Sequence, residues 1–226
     1  MCSRYALTSP PEAVRAYFAH ANETAFPPRY NIAPSQPVLI VRLDHARRRE
    51  LVLVRWGLIP SWAKDPAKLS LLINARAETA AEKPSFRGAL RHRRCLFPAD
   101  AYYEWTGAAG AKRPYMLRPA DGGPMAFAGL WDHWLGADGS EIETAAILTV
   151  RASASVARVH DRMPVILAPD QFAAWLDTTS GRSGEAETML AEPGEQVLEI
   201  LEVSRQLNNS RNEGPEVQEI VGKMLI

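Results

Sequence analysis

Seven strand-length apolar segments follow one another along this chain, and no regular series of helices alternates with them: residues 38–43, 50–56, 94–98, 101–105, 115–118, 125–134 and 143–150. Turn-forming stretches at 106–113, 121–124 and 136–139 break the later ones. A parallel, doubly wound sheet needs a crossover between successive strands, usually a helix, so this order argues against it. Helical periodicity is confined to three places. Pro10 or Pro11 opens an amphipathic helix carrying Val14, Tyr17 and Phe18 to about His20; 169–176 predicts a second, with Asp170 near its start; and 184–191 predicts a third in a polar stretch. The Trp/Pro-rich run from Trp56 to Trp62 carries too many turn formers for a core element. The expected class is α+β: one domain over residues 1–226, with a mixed, bifurcated or partly closed barrel-like sheet flanked by helices.

The chain has 226 residues, 46% of them apolar, which is enough to bury a substantial core. Only two cysteines are present, Cys2 and Cys95, with no secretory signal and no apolar run of transmembrane length. A soluble protein of a reducing, bacterial-type cytosol is expected, with no membrane partner. The Asn-x-Ser/Thr matches at Asn22 and Asn208 then carry no meaning for glycosylation. Neither the cysteines nor the five histidines fall into a metal-ligand spacing, so no metal and no cofactor are expected.

Formal net charge is zero, but the halves differ. Residues 1–118 hold 19 Lys+Arg against 9 Asp+Glu, and 119–226 hold 7 against 17. The N-terminal half is therefore a candidate polyanion surface. Its cations are mostly arginines, including Arg47, Arg48, Arg49, Arg87, Arg91, Arg93 and Arg94, whose planar fork suits phosphate oxygens. A solvated face is the plainer reading, and for residues 47–50, between two strand-like segments, a hairpin loop is preferred.

The chemistry begins at Met1-Cys2-Ser3-Arg4. If Met1 is removed, one residue carries both a thiol and a free α-amine. Such a 1,2-aminothiol can attack a carbonyl through sulfur, or condense with an aldehyde to an imine that sulfur closes into a thiazolidine. The amine, at about 7.7–8.0, and the thiol, at about 8.5, both leave a nucleophilic minority near neutral pH. A cysteine at position 2 is otherwise an incidental feature of a frayed terminus.

Three more segments place polar groups among apolar ones: Asn74-Ala75-Arg76-Ala77-Glu78, Tyr103-Glu104-Trp105 and His160-Asp161-Arg162-Met163-Pro164. Singly, each reads as a turn, a salt bridge or a solvated strand face. Together with Met-Cys-x-Arg, Tyr30-Asn31-Ile32-Ala33-Pro34, the Trp56–Trp62 run, Arg94-Cys95-Leu96-Phe97-Pro98-Ala99, Phe127-Ala128-Gly129-Leu130-Trp131, Val203-Ser204, Asn208-Asn209 and Gly214-Pro215-Glu216, in this order over nearly the whole chain, they resemble the SRAP family of abasic-site-processing proteins. Ser3 departs from the glycine usual there.

The resemblance implies a monomer that binds single-stranded DNA, including single-strand/duplex junctions, and links covalently to the ring-opened aldehyde of an abasic site, shielding it during the damage response. Cys2 would supply amine and thiol, Glu104 and His160 would move protons, and Asn74 would hold the amine or a sugar oxygen. Arg4, Arg76 and Arg162 would contact phosphates. Pro34, Trp56, Trp62, Trp105 and Thr149 complete the implied DNA surface; core packing is preferred for Trp56 and stays open for Trp62. Sequence-tolerant, salt-sensitive binding would follow. Two alternatives share these residues: a thiol autopeptidase that exposes Cys2, and a noncatalytic single-strand binder.

Overall fold

A computed structural model describes residues 2–108, 110–179, 186, 188–190 and 197–224. In chain order the elements are β1 (Tyr5–Leu7), α1 (Pro11–Phe18), β2 (Arg29–Ile32), β3 (Pro37–Leu43), β4 (Arg49–Trp56), β5 (Asn74–Arg76), α2 (Ala77–Ala80), α3 (Pro84–His92), β6 (Arg94–Ala99), β7 (Ala101–Thr106), β8 (Arg113–Pro119), β9 (Met125–Leu135), β10 (Glu141–Arg151), β11 (Arg162–Pro164), β12 (Ile166–Leu167), α4 (Phe172–Leu176), β13 (Leu198–Val203) and β14 (Ile220–Met224).

Five strands close a barrel: β10 pairs β4, then β3, β6 and β9 follow, and β9 returns to β10. The second sheet runs β14-β13-β8-β7-β1-β2 and curls against it. The class is α+β, as expected. Closure follows from the β9–β10 hairpin, paired from Leu135↔Glu141 to Gly129↔Ile147, which leaves the far edge of β10 for β4 and β5. Barrel closure removes free sheet edges.

The seven expected strands are all present with shifted ends. Of the 47–50 run, Arg47 and Arg48 lie in the β3–β4 turn, where Arg47 takes a left-handed φ of 61° and Asp44 Oδ1 accepts the Arg48 N–H at 2.8 Å, while Arg49 and Glu50 already belong to β4. Helix α1 stops at Phe18 because Ala19 turns left-handed at φ 52°, and His20 is buried beyond it. The expected 169–176 helix divides into a 3-10 turn, Pro169–Gln171, and α4. Of the expected 184–191 helix, residues 186 and 188–190 are described and helical, and the other four lie outside the described residues.

Strand β1 ties the two layers together. It pairs with β7 and β2 in one sheet, while Tyr5 packs edge-on against Trp56 (5.3 Å), Phe97 (6.5 Å) and Phe127 (6.1 Å) of the barrel. One continuous core includes Cys2, Tyr5, Trp56, Tyr102 and Phe127. Among the described residues, no helix is long and apolar enough to cross a membrane.

Candidate active site

The antiparallel register Tyr5↔Tyr102, Ala6↔Ala101 continues through the Tyr103 N–H, which donates to the Arg4 carbonyl at 3.0 Å. This carries the start of the chain alongside Glu104. Cys2 is fully buried, its sulfur 3.9 Å from the Arg4 carbonyl oxygen. Burial pushes its thiol pKa well up, and the nearby Glu104 charge pushes the same way. From the barrel side Asn74 Nδ2 donates to the Cys2 carbonyl at 2.8 Å. Asn74 reaches it because β5 lies parallel to β10, with Asn74 opposite Ile147. Asn74 Oδ1 is buried and has no partner among the described residues.

Tyr102 and Glu104 stand two apart on β7 and so share the face turned towards Cys2. Glu104 is 3% exposed, and burial raises its pKa against an opposing pull from His160. A carboxyl held neutral to higher pH is suited to giving a proton and taking it back. His160 sits between β10 and β11, its Nδ1 3.0 Å from the Arg162 N–H and 2.9 Å from Asp161 Oδ1. One ring nitrogen cannot accept from the first and donate to the second together. Asp161 is 86% exposed and weakly held, so the Arg162 bond decides: in the neutral ring Nδ1 accepts and Nε2 carries the proton.

Cations surround this centre. Arg162 makes a bidentate pair with Glu78 (2.5 and 2.9 Å) and donates to the Thr149 carbonyl at 2.5 Å. This pairing lowers the Glu78 pKa. Arg76 is exposed opposite Thr149. Arg4 donates to Asn31 Oδ1 (2.7 Å) and the Leu207 carbonyl (3.1 Å) and lies 5.6 Å from the Trp105 ring centre. Trp105 Nε1 in turn donates to Asn208 at 2.7 Å. Ser3, Arg4, Trp105, Lys112 and Asn208 line an open cleft of about 380 Å³ here. Among the described residues, no group of three or more His, Cys, Asp or Glu is placed to hold a metal ion.

The sequence model of the SOS response associated peptidase (SRAP) family matches residues 1–210. The chain belongs to the SRAP family. Among SRAP relatives, Abasic site processing protein YoqW of Bacillus subtilis (strain 168) is 36% identical over 223 residues, spanning 97% of this chain and 99% of that protein. Abasic site processing protein YedK of Escherichia coli (strain K12) is 31% identical over 225 residues, spanning 96% and 98%. A crystal structure of a protein from Bacteroides thetaiotaomicron superposes with a TM-score of 0.83 at 24% identity, covering 97% of this chain and all of that one, and shares the SRAP fold.

Within this SRAP chain, Cys2, Asn74, Glu104 and His160 converge, linked by the Asn74 bond and by mutual electrostatic influence. The residues expected at a DNA surface separate into three kinds. Arg4, Arg76, Trp105 and Arg162 ring the centre, and Pro34 is half-buried on the β2–β3 turn beside Ser35, whose φ is 68°. Trp62 stands apart, 57% exposed. Trp56 and Thr149 are fully buried and offer no face to a strand: Trp56 packs in the core, its Nε1 bonded to the Ile73 carbonyl at 2.9 Å, and Thr149 braces Arg162 at 3.2 Å. Residue-by-residue reasoning missed Asn31 and Glu78, which fix Arg4 and Arg162. Both lie inside recognised motifs, but nothing in a linear pattern tells which long-range partner they hold.

Proposed function

We propose that this protein processes abasic sites in DNA by capturing the ring-opened aldehyde on the N-terminal aminothiol of Cys2, once Met1 has been removed. The observation that carries the reading is the placement of Cys2 under Asn74 and beside the buried carboxyl of Glu104, with His160 in electrostatic range. The names of the YoqW and YedK relatives point to the same class of substrate.

The chemistry balances on these groups. The Cys2 nitrogen adds to the sugar C1 carbonyl carbon, giving a carbinolamine. A proton from Glu104 lets its hydroxyl leave as water, giving the imine. Sulfur then adds to the imine carbon, its proton passing to the Glu104 carboxylate while the imine nitrogen takes one up. Aldehyde and aminothiol become a thiazolidine plus one water. Burial disfavours a free thiolate, so sulfur's proton must leave as the ring closes, which assigns Glu104 a role in that step. Arg4, Arg76 and Arg162 would bind the flanking phosphates, with Trp105 beside a base.

The test is intact mass, then denaturing electrophoresis after mixing with a single-stranded oligonucleotide that carries one abasic site. Loss of Met1 with an adduct that Cys2→Ala abolishes supports the reading. An adduct that persists in Cys2→Ala defeats it. Cys2→Ser keeps the amine but not the sulfur, so it should give only a reducible imine. If Glu104→Gln retains Met1 where the wild type loses it, the protein itself performs that first cleavage, as the family's description as a peptidase suggests.

A further inference from the structure

Tyr102 and Tyr103 are neighbours on β7, both fully buried on opposite faces of the strand, and their hydroxyls fare differently. The Tyr103 hydroxyl donates to the Tyr30 carbonyl at 2.6 Å and accepts from Gln218 Nε2 at 2.8 Å. It is satisfied, and it ties β7 to the C-terminal part of the chain. The Tyr102 hydroxyl is also buried, but it has no hydrogen-bond partner among the described residues. Such groups are rare in protein interiors, because a buried donor that loses water without gaining a partner is costly.

Packing does not account for that oxygen. Tyr102 stands opposite Tyr5 on β1 and Leu117 on β8, and its ring meets Phe127 of β9 edge-on with centres 6.0 Å apart. None of these contacts engages the hydroxyl, so a phenylalanine would fill the same place. The face of β7 that carries Tyr102 also carries Glu104, two residues on, and Tyr102 shares one buried cluster with Cys2. Burial holds the phenol pKa well above its ordinary value, and negative charge on Cys2 or Glu104 pushes it the same way. Tyr102 is therefore a donor near neutral pH and never a base. The other groups around Cys2 have different tasks: Asn74 Nδ2 is engaged by the Cys2 carbonyl at 2.8 Å, and Glu104 takes the proton that sulfur gives up.

We propose that Tyr102 is a further catalytic residue, whose hydroxyl donates a hydrogen bond to the Cys2 sulfur and stabilises the negative charge that builds there as the thiazolidine closes. The proposal deepens the reading of Cys2 as the capture site and rests on it for the ring-closing step. Sulfur forms its bond to the imine carbon while its proton passes to Glu104, and the electron pair of the C=N bond moves to nitrogen, which takes up a proton. Tyr102 keeps its own proton throughout. A donor aimed at a developing oxyanion is worth about 10²–10³ in rate, and sulfur is a weaker acceptor, so about tenfold is expected here.

The test is Tyr102→Phe, which keeps the ring, removes only the oxygen and should melt at or above the wild-type temperature. With a single-stranded oligonucleotide carrying one abasic site, borohydride traps the imine, and the adduct that survives denaturing electrophoresis without borohydride is the closed ring. The variant should form the imine at the wild-type rate and close the ring about tenfold more slowly, so that imine accumulates. Exchange of the Cys2 thiol with dithiodipyridine at pH 8, located by peptide mass, reads the sulfur whether or not an aldehyde is captured. Loss of the donor should slow it about threefold, with tenfold fewer thiolates each about threefold more reactive. Ring closure at the wild-type rate, or an unchanged exchange rate, would overturn the proposal. Slowing of imine formation and ring closure together, with a lower melting temperature, would overturn it in favour of a packing role. If the wild type captures no aldehyde, the Cys2 reading falls, and the exchange rates still decide whether the hydroxyl touches sulfur.

Discussion

Asn31 pins the N-terminal end of the chain to its C-terminal part. Its Oδ1 accepts from Arg4 at 2.7 Å, and its Nδ2 donates to the carbonyls of Asn212 (2.8 Å) and Asn209 (3.1 Å), with Leu207 at a longer 3.4 Å. Replacing Asn31 by Ala removes one charge-assisted bond, about 1.5–3 kcal/mol, and two neutral ones, about 1 kcal/mol each. Asn209 is exposed and Asn212 half-exposed, so water re-satisfies part of the loss, and the expected cost is about 3 kcal/mol. For a chain of this size that lowers the melting temperature by roughly 6–12 °C. Calorimetry, together with urea unfolding at constant m-value, measures it. Asn31→Asp separates the halves of the pin: it keeps an acceptor for Arg4 but turns an oxygen towards the carbonyls, so it should remain destabilised while holding Arg4. Oligonucleotide affinity should fall more in Asn31→Ala than in Asn31→Asp. A cost below about 1 kcal/mol for Asn31→Ala would refute the idea that this side chain holds the two segments together.

Glu104→Gln should flatten the pH dependence of stability. Burial raises the Glu104 pKa, so above about pH 4.3 the native state holds a proton that the unfolded chain has released, and wild-type stability falls as pH rises towards the folded value. The variant should match wild type below pH 4 and exceed it at pH 7, while its crosslinking slows. Equal pH slopes in urea unfolding would count against a buried, protonated carboxyl. Gly129→Ala should destabilise by about 1–3 kcal/mol, because the added Cβ would lie 2.5–2.6 Å from Phe97 ring atoms and 3.0 Å from Cys95 sulfur, where the β6–β9 pairing leaves no room. Phe97→Leu in the Gly129→Ala background should recover part of that loss, and an unchanged melting temperature in Gly129→Ala would contradict the packing.

Local signals in the sequence determined which segments become strands, and the apolar runs at 38–43, 50–56 and 125–134 all proved to be barrel strands because they combine β-propensity with turn formers at their ends. Motif order identified the family and the three polar residues around Cys2: Asn74, Glu104 and His160. Elements formed by pairing rather than propensity were not legible: β5 is Asn-Ala-Arg, a poor strand former held by parallel bonds to β10, and the three-residue β1 exists because β7 and β2 flank it. Helix α3 was missed because Pro84, Gly88 and its many cations obscure an apolar face of only Phe86, Ala89 and Leu90. Core packing of Trp56 was already the preferred sequence reading, but tertiary structure alone decided that Trp62 of the same motif is surface, and that Arg93 and Arg94 are tied down while, among the described residues, Arg87 and Arg91 are not. The physical reason is the same in each case. Burial and charge pairing are properties of neighbours brought from far along the chain, and a residue's own type does not encode which neighbour the fold delivers.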